Sequence, residues 1–185
     1  EKTYISSLFI TPLYDEGKVK IELELTADSP CQNTIMNVDY TISFHGEKIA
    51  GGRVETITAK SSFTADLFQE HIFRMNYHGE SWAWSPEAPN LFDLELTLNA
   101  DDKIYDKVYS YFGMRKLESK NGMVYLNNMP YYQKLVLDQG YWPEGLLTAP
   151  SDEAFVTDIK YAKEMGFNGC RKHQKTEDPR FLYWA

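Results

Sequence analysis

Residues 18–27 read KVKIELELTA. Apolar Val19, Ile21, Leu23 and Leu25 alternate with Lys18, Lys20, Glu22 and Glu24. A strict period of two is that of a β-strand with one face buried and one in water, and it predicts antiparallel sheet. The same period recurs on either side. MNVDYTISFHG (36–46) places Met36, Val38, Tyr40, Ile42 and Phe44 on one face, and LFDLELTLN (91–99) does so with Leu94, Leu96 and Leu98. In KIYDKVYSYFG (103–113), Tyr105, Tyr109 and Tyr111 are expected on one face, with Val108 and Phe112 on the other. Turns are expected at YDEGK, FHGEK, AGG and NADDK, which carry the Gly, Asn and Asp that turns require. Weaker strands fit YISSLFITPL (4–13), RVETITAK (53–60) and EHIFRMNY (70–77). About seven short strands in a little over 100 residues is the density of an immunoglobulin-like β-sandwich. The Cys…Trp…Cys spacing of antibody domains is missing, so the expectation covers the sandwich architecture alone.

The pattern changes after residue 116. Asn127-Asn128 sits between two short runs and suits a tight turn with left-handed backbone. YYQKLVL (131–137) reads as a short strand. Ser151, followed by Asp152 and Glu153, starts a helix with Phe155, Ile159, Ala162 and Met165 at helical spacing, and Gly166 ends it. FNGCR (167–171) reads as a second strand, and Asp178-Pro179 as the start of a second helix. Strand, helix, strand, helix is a βαβα unit with parallel strands. Two parallel strands close no barrel, so residues 117–185 are expected to open a larger α/β domain, after a sandwich domain spanning 1–116. Phe181, Leu182 and Trp184 leave an apolar run at the C-terminus, which fits a chain cut inside that domain.

Composition narrows the function. With 43% hydrophobic and 25% charged residues, the 185-residue chain has the make-up of a globular protein. A net charge of −8 without a Lys/Arg cluster argues against nucleic acid. No apolar run is long enough for a membrane-spanning helix. Aromatic residues reach 15%, 13 of them Tyr, which suits β structure or a sugar-facing surface. Cys31 and Cys170 read as buried free thiols, and His45, His71, His78 and His173 lack metal-site spacing, so no metal and no cofactor are expected.

Four motifs carry a resemblance. WSPEAPNLFDLELTL, YFGMRKLE, MVYLNNMPYYQKLVLDQGYWPEG and SDEAFVTDIKYAKEMGFNGCRKH stand in the order and spacing of glycoside hydrolase family 2, which includes β-galactosidases, β-glucuronidases and β-mannosidases. The resemblance implies an immunoglobulin-like sandwich followed by the first part of a (β/α)8 TIM barrel, and a parent enzyme that hydrolyses terminal β-glycosidic bonds with retention. Trp84, Pro86, Pro89, Phe112, Gly113 and Arg115 match motif positions whose expected role is packing, and Asn127-Asn128 replaces the family's usual Asn-Gly turn. Arg171 matches an arginine that would hold the nucleophilic carboxylate ionised and aligned. Many members carry Arg-x-x-His. Here the spacing is Arg-x-His followed by Gln174, so either His173 or Gln174 faces the substrate, or His173 supports the site from behind. Asp138 and Gln139 end the first barrel strand as candidate sugar contacts, while Tyr141 and Trp142 either stack on a sugar or pin their loop.

The pairs Asp101-Asp102, Asp152-Glu153 and Glu177-Asp178 read as solvated turns or caps. By the resemblance, the two catalytic glutamates come from later barrel strands, and the chain alone is expected to be inactive. The alternative is a non-catalytic immunoglobulin-like carbohydrate-binding or spacer module, which has no need of a βαβα unit. The implied partner is a carbohydrate, and uncovered barrel faces in 120–185 are expected to make the truncated chain self-associate. Compartment, cytoplasmic or exported, is left open, and a bacterial source is expected.

Overall fold

The computed structural model describes residues 3–26, 35–56, 59–70, 73, 81–101 and 103–185. It is mainly β, and it divides into two compact units: Glu1–Glu118 with Tyr125–Met129, and Ser119–Val124 with Pro130–Ala185. The strands expected at 70–77, along with Cys31, His71, His78 and Asp102, fall largely or wholly outside the described residues. Phe73 is described, and it is buried in the core.

The first unit contains β1 (Tyr4–Leu13), β2 (Lys18–Thr26), β3 (Met36–Phe44), β4 (Glu47–Thr56), β5 (Lys60–Asp66), β6 (Phe92–Ala100) and β7 (Lys103–Phe112). They form two antiparallel sheets, ordered β1-β2-β5 and β4-β3-β6-β7. The alternating apolar residues close the core between them. Val19, Ile21 and Leu23 come from one sheet, and Val38, Ile42, Phe44, Leu94, Leu96 and Leu98 from the other. Three rings stack through the four-stranded sheet: Phe44 lies 4.6 Å from Phe92, and Phe92 lies 5.2 Å from Phe112. Burying each such side chain is worth about 1.5–3 kcal/mol, which is what holds the register.

Two expectations need correction. Residues 53–60 are not one strand. Arg53–Thr56 ends β4 against β3, and Lys60 opens β5 against β2. The presumed AGG turn lies inside β4, where Gly52 pairs with Tyr40. A Cβ on Gly52 would come within 2.9 Å of the Tyr40 ring, so the missing side chain makes room for an aromatic across the ladder. Second, Tyr105 does not share a face with Tyr109 and Tyr111. A bulge between Leu98 and Asn99 breaks the β6–β7 register, and Tyr105 turns in to pack against the core.

Three further strands, β8 (Leu117–Lys120), β9 (Met123–Leu126) and β10 (Met129–Pro130), form a small sheet in the order β10-β9-β8. Asn127 and Asn128 take φ of 52° and 66° between β9 and β10, as a tight hairpin turn requires. Asn127 does more than turn the chain. It is buried, its Nδ2 donates to the Trp84 carbonyl at 2.9 Å, and its Oδ1 accepts from the Lys116 N–H at 3.0 Å. Trp84 also lies under the Arg115 guanidinium (4.9 Å) and against Gly113, where any Cβ would meet the indole at 3.0 Å. The motif residues Trp84, Gly113, Arg115 and Asn127 thus make one structural knot.

Asn127→Gly keeps the left-handed backbone accessible but strips these two hydrogen bonds. It is expected to destabilise the first unit by about 1–3 kcal/mol in urea unfolding. An unchanged midpoint would mean that the side chain contributes nothing.

Candidate functional site

In the second unit, β11 (Leu135–Asp138) and β12 (Gly169–Lys172) pair in parallel, from Leu135 opposite Gly169 to Asp138 opposite Lys172. The crossover between them is α1 (Asp152–Glu164), and α2 (Pro179–Trp184) follows. Gly166 (φ 84°) ends α1, and its N–H bonds to the Lys163 carbonyl at 3.0 Å. Met165, expected on the buried stripe, is exposed, because the left-handed exit begins beside it. The Asp178 carboxylate caps α2 by accepting from the Arg180 N–H at 2.9 Å, as the Asp-Pro pair predicts.

Alternation along the strands sorts the site residues. Val136, Asp138, Cys170 and Lys172 share one face, and Leu135, Leu137 and Arg171 the other. The helices cover the first face. Phe155 and Phe181 are buried there with Ala149, and Ile159, Trp142 and half-buried Cys170 pack against them. Leu137 and Arg171 are exposed on the second face.

The covered face ends in a charge cluster. The Lys172 ammonium bridges the carboxylates of Asp138 and Glu177, at 2.7 Å from Glu177, and lies 3.9 Å from the Phe181 ring centre. Lys175 pairs with the other Glu177 oxygen at 2.9 Å. It also donates to the carbonyls of Gly140 (3.1 Å) and Leu147 (2.7 Å), so it ties the start of the loop after β11 to its middle. Gly140 has φ 64°, which favours glycine, and a Cβ there would come 2.7 Å from Lys175 Nζ and displace the end of that side chain.

The Glu177 side chain is only 5% exposed, which corrects its reading as a solvated residue. Burial works against its charge, but hydrogen bonds from Lys172, Lys175 and the Asp178 N–H outweigh that and bring its carboxyl down to about 2. A general acid needs the opposite shift, and a nucleophile needs access. Glu177 therefore works as the anion that organises two lysines. The sequence signal for this cluster is RKHQKTE, in which Lys172, Lys175 and Glu177 fall within six residues of a strand end.

Asp138 is thus engaged with Lys172, and its Oδ1 accepts from the Gly140 N–H at 2.7 Å. Gln139 and His173 come together where the strands end, with Gln139 Nε2 3.2 Å from His173 Nδ1 and the His173 N–H donating to the Asp138 carbonyl at 2.9 Å. Gln174 is exposed with φ 60°. Trp142 packs 6.0 Å from Phe155 and bridges to Leu146, so it pins its loop, whereas Tyr141 is exposed. No group of His, Cys, Asp and Glu suited to a metal occurs among the described residues.

The family model for glycosyl hydrolases family 2 matches residues 3–115, more than half of the chain. The chain belongs to that family. Over 185 residues it is 27% identical to a β-galactosidase of Photobacterium profundum, covering 97% of the chain. A β-galactosidase of Oenococcus oeni is 29% identical over 85% of the chain. The chain spans only 17% and 15% of those two relatives. Among solved structures, a family 2 glycosyl hydrolase of Bacteroides cellulosilyticus superposes with a TM-score of 0.79 at 17% identity, over 100% of this chain and 25% of that one. A Bacteroides uniformis β-glucuronidase gives 0.76 at 20% identity, over 98% of this chain and 22% of that one. Both structures share the fold of this chain.

The Glu177 carboxyl carries a pH signature. Its folded value of about 2 lies below the ordinary 4.5. The stabilisation is nearly complete above about pH 4.5 and is lost as pH falls toward 2, about 3 kcal/mol in all. Protection of α1 and β12 amides, taken relative to intrinsic exchange at each pH, is expected to fall across that window. Glu177→Gln should already exchange faster at neutral pH and respond less to acid. Identical acid profiles for the two proteins would refute the assignment.

Proposed function

We propose that these residues are part of a retaining β-glycosidase of β-galactosidase type. In this reading, 1–116 is the immunoglobulin-like domain, and β11, α1, β12 and α2 within 117–185 are the opening units of a (β/α)8 barrel. The observation that carries it is the parallel pair with both helices on one face and Arg171 on the other, at a strand's carboxyl end. In a barrel, helices lie outside and the active face gathers at those carboxyl ends. The β-galactosidase relatives, matched across both units, support the substrate class.

The chemistry follows from retention, in which two carboxylic groups act as acid/base and nucleophile. Arg171 would keep the nucleophile ionised by a charge-assisted hydrogen bond. Gln139 and His173, already paired, would offer donors and acceptors to sugar hydroxyls, with Gln174 beside them. Asp138 would act one step back, fixing the start of the loop through Lys172. The open face bearing Leu135 and Leu137 would also drive self-association of the isolated chain.

The catalytic glutamates are proposed to come from other barrel strands. The 185-residue chain incubated with nitrophenyl β-galactoside, β-glucuronide and β-mannoside should therefore release no nitrophenol. Turnover above a buffer blank, abolished by Arg171→Ala, would overturn this reading.

A further inference from the structure

We propose that the outer face of the four-stranded sheet in the first unit is a carbohydrate-binding surface for a neutral, galactose-containing oligosaccharide. The ladder register sets two adjacent rows on that face. Thr41, Glu95 and Tyr109 line up across β3, β6 and β7, and so do Ser43, Asp93 and Tyr111. Their neighbours along the strands, among them Ile42, Leu94 and Phe112, point into the core. The short side chains of Thr41 and Ser43, with Gly46 at the hairpin, leave the middle of the sheet low, while Tyr109 stands at its rim. The result is an open groove of about 270 Å³, lined by Thr41, Ser43, Gly46, Asp93, Glu95 and Tyr109. That is just below the range of about 300–1,000 Å³ typical of drug-sized ligands and suits one or two sugar rings.

The chemistry selects the ligand. Tyr109 is 70% exposed, so much of its ring is accessible to a ligand. Lys107 pairs with Glu95 at 2.8 Å and lies 5.2 Å from the Tyr109 ring centre, so carboxylate and ring are held in one arrangement before any ligand arrives. A pyranose has hydroxyls around its edge and C–H groups on its faces. In galactose the axial O4 leaves C3–H, C4–H and C5–H together on one face, which can lie on an aromatic ring. The edge hydroxyls then meet the carboxylates of Asp93 and Glu95 and the hydroxyls of Thr41 and Ser43, and carboxylates make strong acceptors for O–H donors. With Lys107 paired to Glu95, the carboxylate of Asp93 leaves the groove net negative on a chain of net charge −8, which disfavours uronates, sulfates and phosphates and selects neutral sugars. One ring in an open groove implies affinity in the millimolar range.

This proposal takes only the choice of galactosyl probe from the β-galactosidase reading. The test measures binding and never hydrolysis, so either can fail without the other. β-1,4-Galactotetraose would be titrated into the ¹⁵N-labelled 185-residue chain to millimolar concentration. Saturable shifts are expected for amides of 41–46, 93–95 and 109–111. Tyr109→Ala should weaken binding about five- to tenfold, and Asp93→Asn several-fold, with unchanged unfolding midpoints. Tyr132→Ala, at an exposed tyrosine of the second unit, should bind like the unaltered chain. The absence of saturable shifts, equal binding by Tyr109→Ala, or shifts caused by a lysine-rich peptide but not by the tetrasaccharide would each overturn the proposal.

Discussion

The two-residue period of the extended chain is the constraint on which both units depend. In the first unit it sends Val38, Ile42 and Phe44, with Leu94, Leu96 and Leu98, inward, and Thr41, Ser43, Asp93 and Glu95 outward. A slip of one residue would exchange the two sets, placing carboxylates in the core and phenylalanines in water. In the second unit the same period separates neighbours in sequence. Arg171 and Lys172 are both basic and adjacent, yet one faces away from the helices and the other lies beneath them, between Asp138 and Glu177. Parallel pairing requires a crossover, and α1 supplies it on the face where Cys170 and Lys172 already point.

The buried charges make sense in that setting. Lys172 over the Phe181 ring would be costly without partners, because removing an ammonium from water is expensive. Two carboxylates and a ring compensate it, and Lys175 adds carbonyl contacts from the following loop. The whole arrangement fixes where the chain goes after β11, and so where Gln139 meets His173. A strand-end cluster of this kind resembles catalytic machinery by composition alone. The depressed carboxyl of Glu177 and its burial give it a different role, that of a rigid support.

Much of the fold was legible wherever burial imposes periodicity. β2, β3, β6 and β7 follow from alternation, β1 only as a weaker apolar run, α1 from its apolar stripe and acidic first turn, and α2 from Asp178-Pro179. The failures have local causes. Gly51-Gly52 reads as a turn by propensity, but in β4 the glycine accommodates the Tyr40 ring, a cross-strand contact invisible along the chain. The bulge that turns Tyr105 inward leaves no mark in composition. The family resemblance singled out Arg171, Gln139 and His173, and the structure adds which of them face together. Lys172, Lys175 and Glu177 were missed because each alone is an ordinary charged residue; their partnership exists only after β11 and β12 pair and the chain returns.

In the proposed arrangement, the face bearing Arg171 is the interior of a glycosidase barrel. The most direct measurement is a crystal structure of the longer enzyme in which this chain is proposed to lie, trapped with a mechanism-based β-galactosyl inhibitor. The Arg171 guanidinium is expected within hydrogen-bond distance of the labelled glutamate, with Lys172 still between Asp138 and Glu177 on the helix side. Arg171 directed to solvent, or Glu177 itself carrying the label, would contradict it.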